Sequence, residues 1–246
     1  MRILLANDDG FDAPGLAFLS AAAARISRDL WIVAPDRKWT AASHQLSFDR
    51  DLTLTRRAPQ QFSCSGSPAD CVIAAMTLVL RDNPPDLVLS GVNDGRNAGE
   101  DAAYSGTLAI AREATFWGVP AIGFSRTKDG AMGETEISAL EALIRRLWEN
   151  RSAWLVDGGW LSVNLPTTLP APAAAARIGR DKIGHASEIV ARDDDSITWR
   201  IRRGRPHTTT PGDENAIINA GGIAVVRHRW NRDDELDPAF LAFLQP

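Results

Sequence analysis

The sequence predicts an α/β fold: a mostly parallel sheet between two helical layers, with a β-hairpin arm towards the C-terminus. Three observations predict it. The chain opens on an unbroken apolar run, Ile3-Leu4-Leu5-Ala6, with none of the polar alternation of a half-wet strand, as expected of a strand buried on both faces. A helical pattern over Gly15 to Arg28 and a second apolar run, Leu30 to Ala34, come next, and strand–helix–strand is the unit of a parallel sheet. Beyond about residue 168 the texture changes to short alternating stretches with too little apolar sequence for a core of their own. The chain therefore reads as one domain over 1–246, with its core over about 1–168 and the arm and closing elements over about 180–246.

Each element has its own signal. Leu16, Leu19, Ala23 and Ile26 recur at helical spacing. Leu52-Thr53-Leu54-Thr55 alternates like a strand with one wet face, of the kind found antiparallel to a main sheet. Ser67 is placed as an N-cap, with Pro68 at the first helical position and Asp70 in the first turn, opening a helix that runs to Leu80. Asp86 to Asn93 is the third core strand, Leu108 to Phe116 a helix, Val119 to Ser125 the fourth strand, Ile137 to Trp148 a helix and Trp160 to Pro166 the fifth strand. Pro170 to Ala176 reads as a linker. Ser187 to Ala191 and Ser196 to Ile201 form a hairpin turning at Asp193-Asp194-Asp195, and a short helix (Asp213 to Asn219) and a strand (Gly222 to Val226) close the chain.

Composition excludes several classes. A 44% hydrophobic, 24% charged chain of 246 residues is of ordinary globular type. Its net charge of -4 carries no basic excess for a nucleic-acid duplex or an anionic membrane. Cys64 and Cys71 lack a metal-ligand spacing and read as buried thiols of a reducing compartment. No apolar run approaches a membrane span, and Met1 leads straight into a core strand, so a cytoplasmic location is expected.

The chemistry gathers at strand ends. β-Strand exits carry Asp8 and Asp9, then Thr40 in the polar loop 37–47, then Asn93, and in open α/β sheets ligands bind at the carboxyl ends of the strands. Two adjacent carboxylates repel unless a cation or proton sits between them. Four side-chain oxygens, with water or phosphate completing the shell, suit one divalent ion, Mg²⁺ or Mn²⁺. Asn97 and Ser105-Gly106-Thr107 at a helix start offer neutral donors to a phosphate; Ser105 equally suits plain N-capping. His44 is the candidate acid for a leaving alcohol, and Asn164 reads as a strand-end cap. No Walker A sequence, no GxGxxG after the first strand and no serine-hydrolase elbow is present.

In order and spacing these residues resemble the SurE (survival protein E) nucleotidases. The resemblance rests on Asn7-Asp8-Asp9-Gly10 with Ala13-Pro14-Gly15, Val33-Ala34-Pro35-Asp36, Gly66-Ser67-Pro68-Ala69-Asp70-Cys71-Val72, and Ser90-Gly91-Val92-Asn93 with Gly95 and Asn97. Tyr104-Ser105-Gly106-Thr107, Pro120-Ala121-Ile122 and Val163-Asn164-Leu165-Pro166 complete it. It implies a Rossmann-like fold with an exchanged C-terminal arm in a homodimer or homotetramer. It also implies a phosphatase of nucleoside 5′- and 3′-monophosphates, with short polyphosphate as a further substrate in some relatives. The metal ligands would be Asp8, Asp9, Thr40 and Asn93, the first two also catalytic, and the phosphate ligands Asn97, Ser105, Gly106 and Thr107. The chain departs from the pattern at Thr40 (usually serine), at Trp39 before it, at Ala41 (usually glycine), at His44 (usually asparagine) and over Gly222 to Arg229. Those departures keep a second reading alive, a catalytically weakened nucleotide-binding or scaffold protein that retains the metal site.

Overall fold

The computed structural model describes residues 1–182, 184–202 and 207–232. The part of the expected arm-and-closing region that runs beyond residue 232 lies outside the described residues. In chain order the elements are β1 (Arg2–Ala6), α1 (Pro14–Ala24), β2 (Asp29–Pro35), β3 (Leu54–Ala58), β4 (Gln61–Cys64), α2 (Pro68–Ala74), β5 (Leu87–Asp94), α3 (Asp101–Tyr104), α4 (Gly106–Phe116) and β6 (Ala121–Arg126). Then come α5 (Glu134–Glu149), β7 (Gly159–Leu165), β8 (Ala173–Ala175), β9 (Ser187–Arg192), β10 (Ile197–Ile201), α6 (Glu214–Asn219) and β11 (Ile223–Arg229).

One nine-stranded sheet has the order β3-β4-β2-β1-β5-β6-β7-β11-β8. Its centre, from β4 to β7, is parallel throughout. β3 and β11 run antiparallel to their neighbours β4 and β7. The unbroken apolar run of β1 is explained by its two covered faces. Ile3 and Leu5 join α1 and α5 residues such as Leu19, Leu140 and Ile144 in one core, while Leu4 and Ala6 join Val72, Ile110 and Ala114 of α2 and α4 in the other. The chain leaves β1 towards β2 on one side and returns to β5 on the other. That reversal opens a crevice at the carboxyl ends of β1 and β5, where such folds bind ligands.

The sheet differs from expectation at its margins. The alternating stretch beginning at Leu52 becomes strand only from Leu54, and its partner β4 had no clear signal. The helix expected to reach Leu80 ends at Ala74 and continues as one wider, π-type turn over Ala75–Val79. The alanine run read as linker supplies β8, a three-residue edge strand parallel to β11. α1 stops at Ala24, short of the expected Arg28. The capping at Ser67 is a full capping box: its hydroxyl accepts the Asp70 amide at 3.2 Å and Asp70 accepts the Ser67 amide at 2.8 Å.

Candidate active site

Segments from five parts of the chain meet at the β1–β5 crevice. Beyond β1, the Asn7 side-chain amide donates to the Gly10 carbonyl at 2.8 Å and closes the turn that carries Asp8 and Asp9. Gly10 sits at φ +108°, with the Arg37 carbonyl carbon 3.3 Å from where a Cβ would stand. A side chain there would meet both backbone strain and the next loop. That loop lies directly over the turn: the Phe11 amide donates to the Pro35 carbonyl, and the Trp39 amide to the Asp8 carbonyl, each at 2.7 Å. Thr40, one residue further on, is left exposed at the rim.

Asp8 is buried, and Thr107 Oγ1 donates to its Oδ1 at 2.5 Å. The Ser90 hydroxyl holds the Thr107 carbonyl at 2.7 Å from below, so β5 fixes the residue that fixes Asp8. Gly106 admits this contact: a Cβ would stand 2.7 Å from Asp8 Cβ and 3.0 Å from its Oδ2. α4 therefore presents bare backbone to the carboxylate. Burial pushes the Asp8 carboxyl up to about 6; the Thr107 hydroxyl works against this and the Asp9 charge adds to it.

Asp9 points the other way. Its Oδ1 takes the Lys38 ammonium at 2.5 Å and its Oδ2 accepts the Asp94 amide at 3.3 Å. The hydrogen bond to Asp9 holds Lys38 above the ordinary lysine range, against a smaller effect of burial; the charges of Asp9, Asp8 and Asp94 act in the same direction as the bond. Asn93, next to Asp94, donates through Nδ2 to the Gly95 carbonyl at 2.8 Å, which leaves its amide oxygen as the atom for a ligand. Asn97 is clamped. Its backbone N–H donates to Asn164 Oδ1 and its carbonyl accepts Asn164 Nδ2, each at 3.0 Å, while its own Nδ2 reaches Ser125 Oγ at 2.6 Å. Ser105 caps α4, its hydroxyl accepting the Leu108 amide at 3.1 Å.

The donor set fits a hard divalent cation: two carboxylates, an amide oxygen and a hydroxyl, with no sulfur or imidazole among them. Among the described residues no group of three or more His, Cys, Asp and Glu is placed to hold a metal, so such a site depends on the neutral oxygens of Asn93 and Thr40. The Lys38 ammonium standing on Asp9, within the field of Asp8 and Asp94, shows that this corner draws positive charge.

The model of the family described as Survival protein SurE matches residues 3–186. The chain belongs to the SurE family. The 5′-nucleotidase SurE of Azorhizobium caulinodans is 36% identical to it over 96% of this chain and 95% of that protein. The 5′-nucleotidase SurE of Rhodopseudomonas palustris (strain TIE-1) is 40% identical over 98% of both. The crystal structure of the SurE protein from Aquifex aeolicus superposes with a TM-score of 0.82 at 25% identity over 99% of each chain.

Two positions of this SurE chain show what its departures do. His44 does not join the Asp8 cluster. Its Nε2 lies 2.7 Å from Glu113 Oε2, its Nδ1 accepts Arg112 Nε at 2.7 Å, and its ring stacks on Phe116 at 5.4 Å. Glu113 is six residues beyond Thr107, about 9 Å along α4. Both ring nitrogens are thus engaged away from the carboxylates, and His44 anchors the loop to α4. Ala41, where the SurE pattern has glycine, sits at φ +55°. The left-handed region disfavours any residue with a Cβ by about 1 kcal/mol.

Sequence reasoning missed Lys38, Ser90 and Ser125. Ser90 and Ser125 lie inside apolar runs, where a lone hydroxyl reads as filler. Lys38 had one faint signal, a lysine in the loop following β2, on the side where β1 leaves its carboxylates.

Proposed function

We propose that this SurE chain is a divalent-metal-dependent phosphomonoesterase that converts nucleoside 5′-monophosphates, and 3′-monophosphates with them, to nucleoside and phosphate. The observation that carries this reading is the contact of the Asp8–Asp9 turn with the start of α4 through Thr107 and Gly106. It puts the Asp8 carboxylate, with Asp9 next to it in the chain, against a helix N-terminus, whose free N–H groups and dipole favour a phosphate. Asp8, Asp9, Asn93 and Thr40 would hold one Mg²⁺ or Mn²⁺, which when bound supplies Lewis-acid polarisation of a phosphoryl oxygen. Thr107 orients Asp8 by its hydrogen bond. Asp9, the more open of the two, would orient an attacking water and take its proton. Asn97, Ser105 and Gly106 hold the phosphate with uncharged donors, so that charge developing in transfer meets fixed dipoles. The chain works as a homodimer or homotetramer joined through the region beyond residue 180.

The test is phosphate release from AMP and GMP by purified protein. EDTA should abolish it and Mn²⁺ or Mg²⁺ restore it. Full turnover after metal removal verified by elemental analysis contradicts the site as drawn. The strained Ala41 favours one competing reading, a nucleotide-binding protein with turnover lost. Tight AMP binding without phosphate release at any metal concentration would select it.

A further inference from the structure

We propose that Lys38 is the resident counter-cation of the Asp8–Asp9 pair, held on Asp9 until a divalent cation displaces it. This rests on the reading that the pair binds a metal. The Lys38 ammonium is 2.5 Å from Asp9 Oδ1, and the Asp9 side chain is only 13% exposed whereas that of Lys38 is 57% exposed. The ammonium therefore enters from solvent onto a carboxylate that is mostly enclosed. Its tether is short, because the next residue, Trp39, is fixed by its amide on the Asp8 carbonyl at 2.7 Å. The charges of Asp8 and Asp94 act in the same direction, while the ion pair itself is with Asp9 and Asp94 is also held by Arg126 at 3.1 Å.

A divalent cation bound to Asp9 repels an ammonium standing on the same carboxylate, so the two compete for it even though each oxygen offers two lone-pair sites. Lysine is a compact charge on a flexible stem, and it can swing back to water without disturbing the backbone. Each metal ion bound then breaks one ion pair, and the apparent affinity falls by the strength of that pair. An ion pair whose ammonium stays in solvent contributes about 1 kcal/mol, which is about fivefold in a dissociation constant. Lys38 thus sets a threshold: at low metal the chain itself supplies one positive charge against the pair, on Asp9, and the site fills only when free cation exceeds the raised constant. Without Lys38 the site would fill at lower metal, but the metal-free state would hold two adjacent carboxylates with no ammonium between them and solvent.

The experiment is calorimetric titration of Mn²⁺ into EDTA-stripped protein, comparing wild type, Lys38→Met, Lys38→Arg and Asp9→Asn. Lys38→Met should bind one Mn²⁺ about fivefold more tightly than wild type, Lys38→Arg should stay near wild type, and Asp9→Asn should lose most of the affinity. Equal or weaker binding by Lys38→Met overturns the inference while leaving the metal reading intact. No binding by wild type and Lys38→Met alike overturns the metal reading, and the inference with it. Melting curves give a second measure. Lys38→Met should melt below wild type without metal and match it at saturating Mn²⁺; a deficit that persists with metal marks a folding defect and counts against the proposal.

Discussion

The β1–β5 rim and the β9–β10 hairpin are both short strands ending in turns rich in aspartate, yet they come out as opposites. At the rim every strand is buried, and the polar residues that follow are gripped by neighbours from distant sequence: Thr107 on Asp8, Lys38 on Asp9, Asn164 on Asn97. In the hairpin the apolar side chains are the exposed ones. Ile189, Val190, Ile197, Trp199 and Ile201 are each about half accessible, and among the described residues the two strands pair only with each other, with a register shift at Thr198/Trp199. Among the described residues the Asp193 side chain bonds only within its own turn, to the Asp195 amide at 2.9 Å, the Ser196 amide at 2.8 Å and the Ser196 hydroxyl at 2.9 Å. Two aspartates in a turn become a candidate site when buried strands hold them against other elements. The same residues in an isolated hairpin remain a turn.

Stability should divide most sharply. Leu5→Ala removes a wholly buried side chain from between β1, α1 and α5, and should cost about 3 kcal/mol by chemical denaturation. Ile201→Ala in the hairpin should cost under about 0.5 kcal/mol in the dissociated protein. In the assembled protein the same face should matter: Trp199→Glu is expected to shift sedimentation towards the monomer. A wild-type monomer at micromolar concentration would erase this half of the contrast.

Chemistry should divide almost as far. Asp8→Asn and Asp9→Asn should each lower turnover at least a hundredfold, about 3 kcal/mol of transition-state stabilisation, with the fold intact. Asp193→Asn in the hairpin turn should leave turnover unchanged. A near-normal rate for both rim variants at saturating metal would make the two regions equivalent and remove the site.

Smaller effects sharpen the edge of the rim. Thr40→Val keeps the branched shape and deletes the hydroxyl, so the Mn²⁺ needed for half-maximal activity should rise about tenfold, or about 1.4 kcal/mol. Thr40→Ser should be nearly silent. A Val variant that titrates like wild type assigns the metal to Asp8, Asp9 and Asn93 alone. Ala41→Gly should stabilise by up to about 0.5 kcal/mol, because relief of the left-handed alanine at φ +55° is partly offset by the added freedom of the unfolded chain. A fall in melting temperature would show that the loop does not hold that conformation in solution.

What was legible in the sequence follows the same divide. Ile3 to Ala6 and Asp86 to Asn93 could be read because strands buried on both faces write long apolar runs with a polar exit. The Ser67 cap was readable because its chemistry is local, three residues from its partner Asp70. Gln61–Cys64 was not: one phenylalanine among polar and small residues carries no period, and the segment becomes strand only by pairing with β2 and β3. Ala173–Ala175 was hidden because alanine signals no strand, and β8 exists only through β11. At the site, Asp8 and Asp9 were visible as an anomaly at a strand end. Thr107 was visible too, but its grip on Asp8 spans 99 residues and is tertiary. The same holds for Lys38 on Asp9 and for His44, whose partners Arg112 and Glu113 lie 68 and 69 residues away.

The Asn164 side chain has a further consequence. By accepting from the N–H and donating to the carbonyl of Asn97, its amide does what the backbone of a neighbouring strand would do. It adds one rung to the ladder beyond the point where the sheet ends. The Asn97 amide proton should therefore exchange with deuterated solvent at the slow rate of a central strand, though it sits in a loop. A loop ordered before its ligand arrives loses little entropy on binding, since Asn97, the residue proposed to face the phosphate, is already in place.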